Sequence, residues 1–467
     1  LYFAIDSNDS STQPVHPTGG DVIPLAEATR AWFAISLQTF GGPAGQIAVM
    51  QHKLVDEKRW IGQQRFLHAL NYCTLLPGPE AQQLAIYTGW LLNGTRGGLI
   101  AGSLFVLPGV IALLALSAIY VRFGSTDVVS ALFAGVAPAV IAIVVQAVHR
   151  IAKRALAHGA LVAIAVGAFV ALTMFGVPFP IVVFASALIG WALGRRIPGL
   201  GRASSHGDAD DGPAPLISDD ALHHELPSKR RSFGIVALGA LLWFAPVVAF
   251  AALVSSTDVF VDQGLFFSGT AVVTFGGAYA VLAYVAHQAV YVYGWLAPGE
   301  MVRGLALAET TPGPLIMVVQ FVAFLGAYRD PGSLDPWVAA VLASLLVTWV
   351  TFVPCFLFVL LGAPYVERLR HNRHLTSALT GVTAAVVGVI ANLAVFFALH
   401  TLFDRNREVG SGPVSLDVPV LSSWDPLAFA ITGIALAAMF WRGWGPLRTL
   451  GLCALLGVAA YAVGLAA

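Results

Sequence analysis

The chain has 467 residues, 57% hydrophobic and only 11% charged, with a formal net charge of zero. A soluble globular chain carries about 25% charged residues, so this one lacks the charge to cover a water-facing surface and reads as a multi-pass membrane protein. The neutral balance gives no case for nucleic acid, and Cys73, Cys355 and Cys453, with no CxxC pair, give none for a disulfide framework or a thiolate metal site.

The chain opens on Leu1-Tyr2-Phe3, so its natural start is expected to be missing or processed. Residues 1–29 are polar, lack the basic-then-apolar pattern of a signal peptide, and read as a loosely packed tail. A first repeat is expected over 30–194. Its apolar segments lie at about 31–50, 66–92, 99–120, 128–149, 157–174 and 177–194, with a charged patch from His52 to Arg65. Residues 195–232 form a hydrophilic linker. Its His206, His223 and His224 show no recognisable metal-ligand spacing and read as loop residues. A linking transmembrane helix is expected within 233–256, and a second repeat over 257–467. The second repeat has segments at about 265–285, 301–327, 337–362, 376–400, 426–440 and 446–466, with a polar loop from Phe403 to Asp425.

The two repeats share a motif pair. Thr39-Phe40-Gly41-Gly42 and Pro77-Gly78-Pro79 recur as Thr274-Phe275-Gly276-Gly277 and Pro312-Gly313-Pro314, each 235 residues on with no gap. His52 falls on His287, and Trp60 on Trp295. This is an internal duplication that kept its glycines and prolines. The fold class is therefore an all-α polytopic membrane protein. It should have about 10–13 transmembrane helices in two homologous, inverted repeats with broken helices, because an odd number of crossings precedes the second copy. In a thirteen-segment layout Arg30, Arg96, Arg150, Lys153, Arg154, the linker, Arg303, Arg368, Arg370, Arg373, Arg442 and Arg448 share one side, cytoplasmic by the positive-inside rule. Lys53, Lys58, Arg59 and Arg65 fall on the wrong side. Either one of the first two segments does not cross, or Asp56 and Glu57 offset them.

Helix breaks in lipid are costly, and each creates a new helix start with free amides and a positive dipole end, a natural anion site. The bland reading of one such break is a kink that shapes packing. Four breaks in duplicated pairs point to a transport site. The candidate substrate-binding residues are Gly41, Gly42, Pro43, Thr74, Pro77, Gly78, Pro79, Gly276, Gly277, Thr310, Thr311, Pro312, Gly313 and Pro314. Glu80, followed by Gln82 and Gln83, and Glu309 are carboxylates inside apolar segments. Such groups mark a proton path, an ion pair or a substrate contact, unless they lie at the water interface. His52 and His287 titrate near neutrality and are further candidates for proton coupling or ion pairing. Among the arginines near segment ends, Arg65, Arg96 and Arg303 could attract an oxyanion. Walker, Rossmann, His-Glu-x-x-His and Gly-x-Ser-x-Gly signatures are missing, so no enzyme activity, metal or cofactor is expected.

Phe40-Gly41-Gly42-Pro43, Leu76-Pro77-Gly78-Pro79-Glu80 with Gln82-Gln83-Leu84, Thr274-Phe275-Gly276-Gly277 with Tyr279-Ala280-Val281-Leu282, and Glu309-Thr310-Thr311-Pro312-Gly313-Pro314-Leu315 together resemble the chromate ion transporter family in its long, two-domain form. The resemblance covers roughly residues 30–400. It implies a bacterial inner-membrane protein that exports chromate and confers resistance to it. The expected partners are a chromate or sulfate dianion, the lipid bilayer and protons, with no nucleic acid and with a second copy of the chain as a candidate. Two alternatives stand beside this reading: a transporter of sulfate or another divalent oxyanion, and a non-transporting membrane scaffold or sensor. A scaffold has no need of costly helix interruptions.

Overall fold

The structure is a computed structural model that describes residues 22–40, 42–124, 126–197, 216–217, 229–253, 259–275, 278–297, 299–363, 373–411 and 414–464. Gly41, Gly276, Gly277, His206, His223 and His224 lie outside the described residues. In chain order the first half holds α1 (Leu25–Ser36), α2 (Gly42–Gln51), α3 (Gln63–Cys73), α4 (Glu80–Phe123), α5 (Asp127–Ala155), α6 (Gly159–Phe175) and α7 (Phe179–Arg196). After α8 (Lys229–Leu253) come α9 (Val259–Val273), α10 (Ala278–His287), α11 (Glu300–Thr310), a single 3-10 turn at Leu315–Met317, α12 (Val318–Arg329) and α13 (Pro336–Gly362). The chain continues through α14 (Arg373–Leu402), α15 (Pro426–Phe440) and α16 (Pro446–Ala462). Six described helices are long and apolar enough to cross a membrane, and six further apolar helices are shorter.

The four broken segments turn back on themselves. Around the second Pro-Gly-Pro, Arg329 at the end of α12 pairs with Glu300 at the start of α11 at 2.7 Å. Tyr72 and Tyr87 meet across the first Pro-Gly-Pro with ring centroids 5.1 Å apart. Phe266 of α9 lies 5.4 Å from Tyr284 of α10, and Lys58 just past α2 lies 3.9 Å from Glu27 of α1. A straight helix rises 1.5 Å per residue, so residues this far apart in sequence could not touch along one. Each half therefore carries two helical hairpins: α1 with α2 and α3 with the start of α4 in the first, α9 with α10 and α11 with α12 in the second, with Pro77–Pro79 and Pro312–Pro314 at two of the tips. The base of each hairpin lies on the face it entered from.

α4 also folds back, at Asn93 and Gly94, where Gly94 takes φ +58°. Its arm over 80–92 lies against its arm over 95–123. A Cβ on Gly89 would sit 2.6 Å from the Gly97 carbonyl oxygen, so only glycine allows this approach. The long arm then crosses, as does its counterpart α13. Asp335 starts α13 by accepting from the Trp337 and Val338 amides, with Pro336 at the first helical position.

Hairpins that do not cross settle the basic patch of the first half. Leu216 and Ile217 of the linker pair with residues 59–62. Leu216 N–H donates to Arg59 (3.1 Å), Ile217 N–H to Trp60 (3.0 Å), and Gly62 N–H to Ile217 (3.0 Å). Lys53, Lys58, Arg59 and Arg65 thus share the linker's face, and the first explanation of their placement holds. Arg303 is corrected to the opposite face, where it donates to Tyr120 at the far end of α4's long arm. From α4 to α8 the chain crosses an odd number of times, so the second pair of hairpins enters from that opposite face. The halves are inverted.

The polar loop from Phe403 to Asp425 contains a small antiparallel hairpin, β1 (Asn406–Ser411) with β2 (Val414–Pro419). Val409 and Val418 supply β-branched side chains, but six-residue strands this polar carry little periodic signal. One apolar core joins α4, α5 and α7 to α8 through α16, and a second gathers α1 to α4 around Ile217 and the end of α13.

Candidate functional site

The hairpin tips of opposite halves are hydrogen-bonded to one another. The Gly78 N–H donates to the Thr274 carbonyl at 2.7 Å, and the Gly313 N–H donates to the Thr39 carbonyl at 3.0 Å. The duplication maps Thr39 onto Thr274 and Gly78 onto Gly313, so these are one contact made twice across a pseudo-twofold axis. Each Pro-Gly-Pro tip is backed by the other half's long helix. A Cβ on Gly78 would meet Cys355 Sγ at 2.8 Å, and a Cβ on Gly313 would meet Gly109 Cα at 3.4 Å. Pro354 and Pro108 precede those two contacts in α13 and α4. Gly78 (φ +122°) and Gly313 (φ +103°) hold a conformation that L side chains rarely adopt.

A small cleft opens between the tips, lined by Pro43, Gln46, Pro79, Glu80, Pro314 and Leu315 among others. It collects the starts of α2, the short arm of α4, α10, and the 3-10 turn leading into α12. Among the described residues, no side chain caps the starts at Glu80 and Leu315. Their first-turn amides and positive dipole ends face the same space.

The two halves furnish the cleft differently. Gln46 donates to the Gly313 carbonyl (2.5 Å), and Gln83 donates to the Pro77 carbonyl (2.6 Å). Their pseudo-equivalents are Val281 and Val318. In the second half Tyr279 donates its hydroxyl proton to Glu309, whose other carboxylate oxygen is buried and unpartnered. The Oε1 atoms of Gln46 and Gln83, and both amide atoms of Gln82, are likewise buried without partners among the described residues. Buried polar atoms are nearly always hydrogen-bonded, so this concentration beside the tips marks a polar site inside an apolar protein.

Pro43, Pro77, Gly78, Pro79, Glu80, Glu309, Pro312, Gly313 and Pro314 come together here, with Gly42 (φ +73°) next to the Tyr279 hydroxyl. Thr74 and Thr310 are exposed, Thr311 is buried, and all three donate to carbonyls three residues back in their own helices. His52 is exposed at a hairpin base, 3.4 Å from Asp56. His287 lies at the end of α10 on the opposite face, beside Tyr291. Arg65 is buried at the start of α3, and Arg96 is exposed just past the α4 turn, both on the linker's face. Among the described residues, no group of three or more His, Cys, Asp or Glu side chains could hold a metal ion.

Sequence reasoning passed over Gln46, Tyr279 as a site residue, and the backing pair Gly109 and Cys355. An amide three residues after Pro43 in an apolar run was a signal. The exchange of backing helices between halves had none.

Broken hairpins that enter from opposite faces and meet at their tips define a multi-pass membrane transporter built from two related halves. The chain belongs to the chromate transporter family: the family model described as "Chromate transporter" matches residues 26–191 and 261–458. It is 31% identical over 402 residues to a chromate transport protein of Pseudomonas aeruginosa, covering 85% of each chain. It is 26% identical over 435 residues to a probable chromate transport protein of Synechococcus elongatus, covering 91% of this chain and 97% of that one. A chromate transport protein of Cupriavidus metallidurans is 27% identical over 368 residues, covering 78% of this chain and 80% of that one. No solved structure matches. The topology is consistent with an inner-membrane protein.

Proposed function

We propose that this protein exports chromate across the cytoplasmic membrane and so confers chromate resistance. The dianion is held where the four hairpin tips meet, and its movement is coupled to protons or to the membrane potential. The observation that carries this reading is the convergence of helix starts from both halves on one cleft beside the paired Gly78–Thr274 and Gly313–Thr39 contacts. A dianion in hydrocarbon is prohibitive unless its water shell is replaced. Uncapped amides and dipole ends replace it without a fixed full charge, so the ion is held without being trapped. The Gly78 and Gly313 amides tie the tips together, which leaves the first-turn amides at Glu80 and Leu315 as the donors. The relatives named for chromate transport support chromate as the cargo. Glu80 and Glu309 serve proton coupling, and the arginines at the hairpin bases attract the anion to the mouths.

Helix starts read charge and oxygen geometry, which sulfate shares with chromate, so the decisive measurement is a competition. Inverted membrane vesicles are supplied from outside with labelled chromate in excess sulfate. Chromate uptake that persists is the expected result. Robust sulfate flux with no chromate flux would reverse the assignment.

A further inference from the structure

We propose that the carboxylate of Glu80 is the resident anion of the transport site, and that an ionised Glu80 and a bound oxyanion exclude one another. The inference rests on the site proposed above and assigns it a regulating group.

Glu80 is the first residue of α4, directly after the tip residue Pro79, and it lines the cleft with Pro43, Gln46, Pro314 and Leu315. Among the described residues it makes no ion pair and no side-chain hydrogen bond. A carboxylate without a cation in an apolar protein must be neutral or must be stabilised by dipoles. The dipoles are present: Glu80 sits in the first turn of its own helix, and the starts of α2, α10 and the turn before α12 border the same cleft. These are the groups that would solvate a transported anion. Gln46, only 1% exposed and with Oε1 unpartnered, also lines the cleft. That oxygen cannot stabilise a carboxylate, but it can accept a hydrogen bond from a protonated one.

The groups around Glu80 single it out. Cys73 closes α3 ahead of the tip, and Cys355 of α13 stands behind the tip at Gly78. Tyr279 of α10 and Glu309 of α11 are engaged with each other. None of these supplies a positive charge. Leu315 occupies the pseudo-equivalent position, so the cleft holds one such carboxylate and not a symmetric pair. Binding of an oxyanion then requires Glu80 to take one proton from solvent, and release of the anion returns it.

The test uses the full chain in detergent and chromate as the probe, in the alkaline range where chromate itself stays a dianion. Wild-type affinity should fall by up to about tenfold per pH unit as Glu80 ionises. A weakly buffered indicator should report close to one proton taken up per chromate bound. Glu80→Gln should bind chromate at least as tightly, with no pH slope and no proton uptake. Should that variant fail to fold, Glu80→Ser serves, since serine suits a helix start. A slope and proton uptake that persist in these variants overturn the role of Glu80, while chromate binding that is lost in Pro43→Trp, whose ring would fill the cleft, still supports the cleft. Chromate binding that survives Pro43→Trp unchanged moves the site elsewhere and defeats both readings.

Discussion

Gly78 and Gly313 share a conformation, but their surroundings differ. Any side chain at either position pays about 1–2 kcal/mol for positive φ. At Gly78 a Cβ also collides with Cys355 Sγ, whereas at Gly313 the nearest atom, Gly109 Cα, is at ordinary contact distance. Gly78→Ala is therefore expected to destabilise the protein by about 1–2 kcal/mol more than Gly313→Ala. Adding Cys355→Ala should restore part of that excess, because Gln83 Nε2 would still stand 2.9 Å from the new Cβ. Thermal unfolding of the four proteins in detergent would check it, and equal losses at the two glycines would defeat the steric account. The glycines themselves were legible in the sequence because they recur in register. Their task was not: the sequence suggested free amides for the anion, and the amides of Gly78 and Gly313 instead bind the other half's threonine carbonyls. That partner is 196 residues away for one glycine and 274 for the other, which no local pattern encodes.

At the scale of elements, the hairpins need their bases closed as well as their tips joined. In the second half Arg329 makes a two-pronged pair with Glu300 and also donates to the Trp295 carbonyl at 3.0 Å. Glu300 accepts in addition from the Ala297 amide and from Tyr120 on α4. The network ties α11, α12 and the first half together at one face. A fully buried pair broken on one side costs about 3–5 kcal/mol. The Arg329 side chain is 43% exposed, so Arg329→Met should cost about 1–2 kcal/mol. The double variant Arg329→Met, Glu300→Leu should recover part of that loss, because it removes the stranded carboxylate. Unfolding midpoints in denaturant would read both, and a double variant worse than the sum of the singles would show that Glu300 is held mainly by Tyr120 and Ala297. The apolar stretches, their breaks and the linker were all readable from hydropathy. Whether a broken stretch crosses or turns back was not, since both forms bury the same apolar residues. It is decided by pairs such as Arg329 with Glu300, whose partners lie on different helices.

For the whole molecule, the re-entrant hairpins bring the charge pattern into line. Lys53, Lys58, Arg59, Arg65, Arg96, Arg150, Lys153, Arg154, Arg195 and Arg196 lie on the linker's face, while Arg122, Arg303 and Arg329 lie on the other. By the positive-inside rule the linker's face is cytoplasmic. The first pair of hairpins then opens to the cytoplasm and the second pair to the far side, with the joined tips as the barrier between them. The contact of Leu216 and Ile217 with residues 59–62 fixes the linker to the base of the first pair. In a cysteine-free background, His52→Cys should be modified by an impermeant maleimide only in inside-out vesicles, and Tyr293→Cys only in right-side-out cells. Both positions are solvent-accessible, with His52 67% exposed by side chain and Tyr293 38% exposed. Ile61 and Ile217 face each other as a parallel bridge, so Ile61→Cys with Ile217→Cys should form a disulfide under mild oxidation. Labelling of His52→Cys and Tyr293→Cys from the same side would mean that the chain crosses an even number of times between the hairpin pairs. The tips would then meet from one face, and the pseudo-twofold pairing of Gly78 with Thr274 and Gly313 with Thr39 could not form.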